Sequence, residues 1–414
     1  MNEERARRIG ERLRSARRQR GMSLRNLAGL AGVSVGYLSM VENGQRLLDR
    51  SSLIASFAEV LQIAPSELTG QPFAAVDPHT SAAHEAVPAL RLTLMGLTMA
   101  APPDRRAPQV PAAVLSERVA KANRLYHGAD YATLAAGLPT LLADLHAAAE
   151  AADGAGRRVL LKLLADAYHP ACTLLLKNLG YTDLAFIAVT RAAEAIAELD
   201  DPVYSALAGF FHTHVLMAAG SPTQALAQAT AAANTLEANL TSTDDAHALL
   251  GELHLISATS LTLDRQRPGN TRTEDVRGHL KEADKLAGRT GETQAWHLNF
   301  GPTNVGIHKV SLNTDLGRHG AAVIAGDGVH PQTLAEAPGR QAAFHADLGR
   351  SLAHLRGREA QAVAALLTAE EIAPQRIHAS APVRNTVEFL TDRQLPAHAA
   401  RDLRGLAHRI GLPL

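Results

Sequence analysis

The hydrophobic positions of this chain follow a helical pattern along most of its length. Apolar residues recur at i, i+3, i+4 and i+7, as in Leu24, Leu27, Ala28 and Ala31, so that they line one face of a helix. Aromatic residues make up only 4% of the chain, whereas Ala and Leu, which favour helices over strands, are abundant. The sequence therefore predicts an all-α protein.

The first 70 residues contain the end signals of five short helices. Ser23 and Ser34 are placed to cap the second and third helices. Gly32 suits the tight turn between these two helices because glycine readily adopts left-handed backbone angles. A fourth helix is predicted over 51–61 and a fifth over 65–68. We therefore expect a five-helix N-terminal domain at residues 1–70.

This domain carries the segment GERLRSARRQRGMSLRNLAGLAGVSVGYLSMVENGQR, which resembles the Xre and lambda-repressor-like helix-turn-helix family. The matching features are LxxAR near the end of helix one, GxS before helix two, LA shortly before GVS, and ExG at the end of helix three. The resemblance implies a DNA-binding domain whose third helix enters the major groove. The family usually has Gln after the capping serine. Leu24 takes that place here, so we expect the phosphate contact from Arg25.

The resemblance assigns DNA contacts to nine residues. The first residues of the third helix would meet base edges, and Arg25 with the residues after that helix would meet phosphates. No side chain between Val35 and Met40 makes a bidentate base contact, so we expect much of the specificity to come from DNA shape and from the pairing of two such domains. The predicted DNA-binding residues are Arg25, Ser34, Val35, Gly36, Tyr37, Ser39, Asn43, Gln45 and Arg46.

Charge is distributed unevenly along the chain, whose formal net charge is zero. Residues 1–70 contain 11 arginines, no lysine and 7 acidic residues, which gives a net charge of +4. Residues 71–414 therefore carry −4. The basic N-terminal part is the candidate partner of double-stranded DNA.

A proline-rich segment follows at residues 71–111, and we interpret it as a linker with one helix over Val87–Met99. Beyond it, glycines followed by alanines return about every 40 residues, which is typical of helical repeats. The clearest unit, GRSLAHLRGREAQAVAALLTAEEIAP, resembles a tetratricopeptide repeat. We predict that residues 112–414 form an α-solenoid of tetratricopeptide-like helix hairpins, which senses a ligand and dimerises.

The segment QAWHLNFGPTNVGIH at residues 294–308 differs from its Ala- and Leu-rich surroundings. It contains the only Trp of the chain, and Pro302 is predicted to break a helix and open a polar pocket. We expect Trp296 to stack on a ligand, and Asn299, Asn304 and His308 to hydrogen-bond it. The alternative is that Trp296 belongs to the core and that the asparagines cap the broken helix.

The sequence indicates no other chemistry. A phosphate-binding loop, a GxSxG motif and an HExxH motif are absent, and the histidines lack the spacing of metal ligands. We therefore expect no catalytic residue, no metal and no cofactor. Cys172 is the only cysteine, which excludes a disulfide within the chain. The charged N-terminus lacks the apolar region of a signal peptide, and no run of 18 apolar residues occurs, so we expect a cytoplasmic protein without a membrane partner.

Two functions from different classes fit these features. The first is a transcription regulator that senses a small molecule or peptide and binds two DNA half-sites as a homodimer. Its arrangement is similar to that of peptide-pheromone regulators, which join this type of DNA-binding domain to tetratricopeptide repeats. The alternative is a protein-interaction scaffold that the N-terminal domain tethers to DNA. No residue pattern supports an enzyme.

Overall fold

A computed structural model describes residues 9–73, 78–96, 110–240, 242–264 and 269–412. The regular structure in these ranges is helical throughout, which confirms the predicted all-α class. The first five helices, called the head, are α1 (Ile9–Gln19), α2 (Leu24–Leu30), α3 (Val35–Glu42), α4 (Ser51–Leu61) and α5 (Pro65–Thr69).

The remaining helices are called the body. Its first half comprises α6 (Pro78–Glu85), α7 (Val87–Gly96), α8 (Ala112–His127), α9 (Tyr131–Ala151), α10 (Gly154–Asp166), α11 (Leu175–Leu179), α12 (Thr182–Ala197), α13 (Pro202–Ala218), α14 (Pro222–Ala238) and α15 (Asp244–Leu263). Its second half comprises α16 (Gly269–Thr290), α17 (Pro302–Asp315), α18 (His319–Gly326), α19 (Pro338–Ala353), α20 (Glu359–Ile372), α21 (Pro374–His378), α22 (Ala381–Thr391) and α23 (Ala397–Arg409).

The head folds as its caps predict. Ser23 Oγ accepts a hydrogen bond from the Asn26 backbone N–H at 3.1 Å and caps α2, which satisfies one of the unpaired donors at the helix start. α1 and α3 cross very closely: a Cβ at Gly10 would lie 2.2 Å from the Val41 carbonyl oxygen. Leu13 and Phe57 are completely buried in the core between the helices.

The segment predicted as a linker contains two helices, α6 and α7, rather than the single helix expected over Val87–Met99. Both pack against α9. Leu90 and Leu94 are completely buried, whereas Leu92 is 72% exposed. The burial of one face fixes α7 to the body. Residues 97–109, which include Leu97 and Met99 of the predicted helix, lie outside the described ranges.

The helices of the body pack on their neighbours in the chain, as α12 does on α13 and α13 on α14. Alternate helices also touch, because α13 packs on α15, α15 on α17 and α17 on α19. α19 also contacts α8. These four alternate helices form an inner row, with α8 beside its last member.

Small residues permit this close helix packing. A Cβ at Gly209 of α13 would lie 2.6 Å from Cβ of Ala232 in α14, and a Cβ at Gly349 of α19 would lie 2.9 Å from Cγ of Leu366 in α20. The glycines that mark the predicted repeat each follow a helix with left-handed backbone angles, and they are Gly180, Gly220, Gly317 and Gly357.

One helical stretch, Gly154–Leu179, has the length and apolar character of a membrane span, and 78% of its most apolar window is buried inside the fold. Burial of that extent is typical of a core helix.

The stretch joins α10 to α11 through a π-helical segment, Ala167–Leu174, which contains Pro170. Such wide turns often occur at functional sites, and this one leads directly into α11, which carries Lys177.

Candidate DNA-binding surface and ligand cavity

α3 presents most of its predicted base-contacting residues on the surface of the head. Ser34 Oγ accepts from the Tyr37 backbone N–H at 3.1 Å and caps the helix. Val35 is 43% exposed, and a Cβ at Gly36 would meet no atom within 4 Å. Ser39 is half-buried. The first turn of α3 is therefore open to a DNA groove.

Tyr37 differs from the expectation that its side chain faces outward. It is half-buried and packs against the core of the head. Burial raises the pKa of its hydroxyl, and this rise is opposed by the nearby charge of Arg50. The ring thus contributes to the packing of α3 as well as to its surface.

The predicted phosphate-contacting residues lie at two places on the head. Asn43, Gln45 and Arg46 lie together and exposed in the turn after α3, and Arg25 is exposed in the first turn of α2. Since α2 packs directly against α3, both places flank the exposed turn of α3. Asn43 Oδ1 also accepts a hydrogen bond from Arg14 Nη2, so an arginine of α1 joins this surface.

Glu42, at the end of α3, is a structural residue that the predicted site did not include. It is 3% exposed and accepts from Arg17 Nε at 2.6 Å and from Arg17 Nη2 at 2.8 Å. Arg14 Nε lies 3.3 Å from the same carboxylate. A bidentate arginine pair of this kind fixes orientation as well as distance, so Glu42 holds α3 in place against α1. Glu42 is the glutamate of the ExG pattern at the end of the third helix, so this pattern was the sequence signal that could have identified it.

A cavity of about 280 Å³ lies in the body between the inner row of helices and α8, α11 and α21. Its apolar wall includes Leu174, Phe210, Ile256 and Leu298. The ionisable residues that line it are Tyr126, His127, Lys177, His214, Glu252, His297, His308, Arg340 and Arg376. The cavity therefore combines an apolar surface with a concentration of ionisable groups.

Cations outnumber anions in this cavity. Lys177, Arg340 and Arg376 line it together with a single carboxylate, Glu252. Burial and the charges of the two arginines lower the pKa of Lys177 to about 8. Burial raises the pKa of Glu252 to about 7, against the opposing charge of Arg340 and a hydrogen bond from Asn304. Desolvation disfavours every charge here, and like charges add to the cost of the cations.

Three of the four predicted ligand residues lie at or behind this cavity. Asn299 and His308 line it. Asn304 is completely buried, donates from Nδ2 to Glu252 Oε1 at 2.7 Å, and accepts at Oδ1 from Arg340 Nε at 2.6 Å. Arg340 Nη2 also donates to His308 Nε2. Asn304 and His308 therefore orient Arg340.

Trp296 does not line the cavity. Its Nε1 donates to the Asp245 carbonyl oxygen at 2.8 Å, and its ring meets the ring of Tyr204 edge to face at 5.4 Å between centroids. These contacts match the alternative in which Trp296 packs structurally. The prediction that Pro302 breaks a helix is also wrong, because Pro302 begins α17. Proline suits that first position, where its missing N–H costs nothing.

The loop before α17 has an unusual backbone. Trp296, His297 and Asn299 each have φ near 56°, a left-handed conformation that costs residues other than glycine about 1 kcal/mol each. The Thr293 backbone N–H donates to the Phe300 carbonyl oxygen at 2.8 Å and closes the loop. The closed loop places His297, Leu298 and Asn299 at the cavity.

Sequence reasoning missed Lys177, Glu252, Arg340 and Arg376. They lie on four helices that are far apart in the chain, and no local motif connects them. A weak signal exists for Lys177 and Glu252, since each interrupts an apolar helix, as in LLLKNL and LLGELHL. In the part of the chain that the structure describes, no group of three or more His, Cys, Asp or Glu residues is arranged to hold a metal ion.

Residues 8–69 match the family model described as a helix-turn-helix domain. The head is a helix-turn-helix DNA-binding domain. The match covers α1–α5 and ends before the body begins. Comparison with curated proteins and with solved structures gave no match for the chain.

The helix-turn-helix domain is joined to the body by a buried charge cluster around Asp49, which is 1% exposed. Arg350 Nη2 donates to the Asp49 carbonyl oxygen at 2.7 Å, and Arg350 Nε lies 3.6 Å from Asp49 Oδ2. His354 Nε2 lies 3.1 Å from Asp49 Oδ1. Arg350 also pairs with Asp315 at 3.0 Å and with Asp347 at 2.7 Å.

Asp49 stays ionised in this cluster. Burial by itself raises the pKa of Asp49, but the hydrogen bond to His354 and the charge of Arg350 outweigh it and lower the pKa to about 2. The chain just before Asp49 makes further contacts: Asn385 Nδ2 donates to the Leu48 carbonyl oxygen at 3.4 Å, and Arg393 Nη2 to that of Gln45 at 3.3 Å. The turn that follows α3 is thus held by the body.

Proposed function

We propose that this protein is a transcription regulator whose body senses a small molecule and controls DNA binding by the helix-turn-helix domain. The observation that carries the proposal is the open first turn of α3 in a domain whose sequence matches a helix-turn-helix family model. In this proposal Ser34, Val35, Gly36 and Ser39 meet the DNA groove, and Tyr37 contributes through its exposed part.

Phosphate contacts come from Arg25, Asn43, Gln45 and Arg46 in this proposal. Their exposure on both sides of α3 supports the assignment. Such contacts position the domain on the duplex without reading sequence. The protein acts as a homodimer, since paired recognition helices read two half-sites about one helical turn apart, roughly 34 Å or a multiple of it.

The size of the cavity favours a small molecule over a peptide. About 280 Å³ lies just below the usual range for small-molecule sites, roughly 300–1,000 Å³, and seven helices surround the cavity. The packing of chain-neighbour helices also supports our assignment of the body as tetratricopeptide-like. We place the regulator in the cytoplasm and assign it no enzymatic activity.

The test of this function is selection of bound duplexes from a random-sequence DNA pool, followed by footprinting of the selected site. The expected result is a discrete motif made of two half-sites, protected on adjacent turns of one DNA face. Enrichment of no motif would contradict sequence-specific regulation. A motif with one half-site, bound by a monomer, would contradict the homodimer alone.

A further inference from the structure

We propose that the cavity in the body binds a small organic anion, with a carboxylate or phosphate group beside an apolar portion, and that α17 and α19 carry its effect to the helix-turn-helix domain. The second half of this proposal rests on the proposed function. The first half concerns the cavity alone and is tested without DNA.

The charge balance of the cavity argues for an anion. Lys177, Arg340 and Arg376 converge on it, and no carboxylate among the described residues pairs with any of them within 4 Å. Arg376 Nη1 donates to the Tyr131 hydroxyl at 3.4 Å, and the Arg376 side chain also hydrogen-bonds Tyr126, so its described partners here are neutral hydroxyl groups. Cations that are partly removed from water and close to one another are costly unless an anion pairs with them. A bound carboxylate or phosphate supplies that charge.

Neighbouring hydrogen-bonding groups orient Arg340 before any ligand binds. Asn304 and His308 fix the guanidinium of Arg340 from the side of α17, which leaves less side-chain motion to be lost when a ligand binds. His127 Nε2 is buried without a hydrogen-bond partner among the described residues and belongs to the same lining. Arginine suits carboxylate and phosphate because its planar group makes paired hydrogen bonds.

The other wall of the cavity indicates an organic ligand rather than an inorganic ion. Leu174, Phe210, Ile256 and Leu298 provide apolar surface opposite the charged groups. Apolar contact contributes to affinity in proportion to the area removed from water, and a bare phosphate ion gains nothing from it. The cavity therefore fits an amphipathic ligand of modest size.

α17 and α19 connect this cavity to the Asp49 cluster of the helix-turn-helix domain. α17 carries Asn304 and His308 in its first half and Asp315 at its end, where Asp315 pairs with Arg350. α19 carries Arg340 near its start and Arg350 near its end, where Arg350 binds Asp49. Thr314 and Ser351 join the two helices through hydroxyl groups 2.8 Å apart. A ligand that shifts Arg340 thus acts on the same helices that hold the turn after α3.

The size of this coupling is limited by how differently the ligand binds the two arrangements of the domain. An anion that pairs with Arg340, while Asn304 and His308 keep their hydrogen bonds to it, acts on α17 and α19 together. The consequence is a change in DNA affinity on ligand binding, and an equal change in ligand affinity on DNA binding.

The test uses the full chain without DNA and four aromatic probes of similar size. Benzoate and phenyl phosphate carry the two candidate anionic groups, benzamide is neutral, and benzylamine is cationic. Binding is measured by ligand-detected NMR titration. We expect at least one anion to bind about tenfold more tightly than benzamide, as one charge-assisted hydrogen bond allows, and benzylamine to bind most weakly. The better of the two anions identifies the headgroup.

The matched variants are Lys177→Met and Lys281→Met. Each removes one positive charge, but Lys281 is exposed and does not line the cavity. We expect Lys177→Met to weaken the preferred anion about tenfold while its circular dichroism remains that of the parent, and Lys281→Met to leave binding unchanged. Equal binding of anions and benzamide, no binding by either anion, or equal effects of the two variants would overturn the anion site.

DNA binding is then measured with and without the preferred anion. A change in affinity for the selected duplex supports coupling through α17 and α19. Anion binding that leaves DNA affinity unchanged overturns the coupling and the ligand-sensing part of the proposed function, and it leaves the anion site standing. Failure of both anions to bind, with intact DNA binding, overturns the anion site and leaves the DNA-binding part of the proposed function standing.

Discussion

Arg340 and Arg350 lie near opposite ends of α19, one at the cavity of the body and the other on Asp49 of the helix-turn-helix domain. At a rise of 1.5 Å per residue they are separated by roughly 15 Å along the helix axis. A packed helix transmits displacement along its axis because protein interiors have low compressibility. This relationship makes the Asp49 cluster one of the contacts through which the body holds the DNA-binding domain, beside those that Asn385, Arg393 and α15 make.

Removal of the Asp49 side chain should loosen the domain from the body. Asp49→Ala removes the carboxylate that meets His354 and Arg350, while Arg350 keeps Asp315 and Asp347. Loss of a hydrogen bond to a charged group costs about 1.5–3 kcal/mol. We expect amide hydrogen exchange of residues 45–50 to become at least about tenfold faster. Asp327→Ala is the control, since Asp327 is exposed. Unchanged exchange in Asp49→Ala would show that the cluster does not hold the domain.

Glu42 should stabilise the helix-turn-helix domain rather than contact DNA. Glu42→Ala leaves Arg17, which is 9% exposed, without its carboxylate, and we expect a loss of about 3 kcal/mol in the free energy of unfolding of this domain. Glu11→Ala removes an exposed carboxylate from the same domain, and its expected effect is below about 0.5 kcal/mol. Chemical denaturation followed by circular dichroism compares the two variants. Equal stabilities would refute the bracing of α3 by Glu42.

A pair of glycines tests the packing behind the cavity loop. A Cβ at Gly251 would lie 2.0 Å from Cζ of Phe300, whereas a Cβ at Gly278 would meet no atom within 4 Å. Gly251→Ala should destabilise the body by about 1–3 kcal/mol through overpacking. Gly278→Ala, inside α16, should stabilise it by up to about 1 kcal/mol because alanine favours helices.

Thermal unfolding measures both glycine variants. A stable Gly251→Ala protein would mean that Phe300 and its loop move easily, in conflict with the tight packing seen here. If the destabilised variant also loses anion binding while Gly278→Ala retains it, the loop positions the cavity residues.

Anion binding should strengthen as the pH falls from 9 to 6. Lys177, whose pKa burial lowers to about 8, gains its positive charge in this range, and Glu252, whose pKa burial raises to about 7, loses its negative charge. Burial lowers the pKa values of His127, His214, His297 and His308, so these rings stay neutral over most of the range. Both titrations that matter therefore favour an anion at lower pH.

Benzoate suits this pH measurement because an ordinary carboxylic acid, whose pKa is about 4, remains ionised over the whole pH range of the experiment. Its affinity should rise in two steps, near the pKa values of the two cavity groups. Glu252→Gln should remove the lower step and keep the upper one, since Gln preserves the shape of the side chain. Affinity that is constant or falls toward pH 6 would contradict the assigned roles of Lys177 and Glu252.

The helix-turn-helix domain was predictable because its information is local. Ser23 and Ser34 cap the helices that they were expected to cap, and Gly32 has the left-handed angles that the turn requires. Tyr37 was harder to place, because helical periodicity puts it at the boundary between surface and core. Its burial depends on contacts made across the domain.

The cavity was only partly predictable. The polar segment around Asn299 and His308 pointed to the correct region, since polar side chains in an Ala-rich helical chain need a specific reason. Trp296 misled because a rare aromatic residue suggests stacking on a ligand, whereas here it packs on Tyr204. Lys177, Arg340 and Arg376 come together only when their helices pack in the folded protein. Their spacing along the chain therefore does not predict that they line one cavity.

The most direct test of the central claim measures how salt changes affinity for the selected duplex. Each phosphate contact contributes about one unit to the slope of log affinity against log salt concentration. We expect Arg25→Ala and Arg46→Ala each to weaken binding and to reduce the slope by about one unit. Arg158→Ala, which removes an exposed arginine of α10, should change neither. Affinity and slope that are the same in all four proteins would contradict DNA binding through this surface.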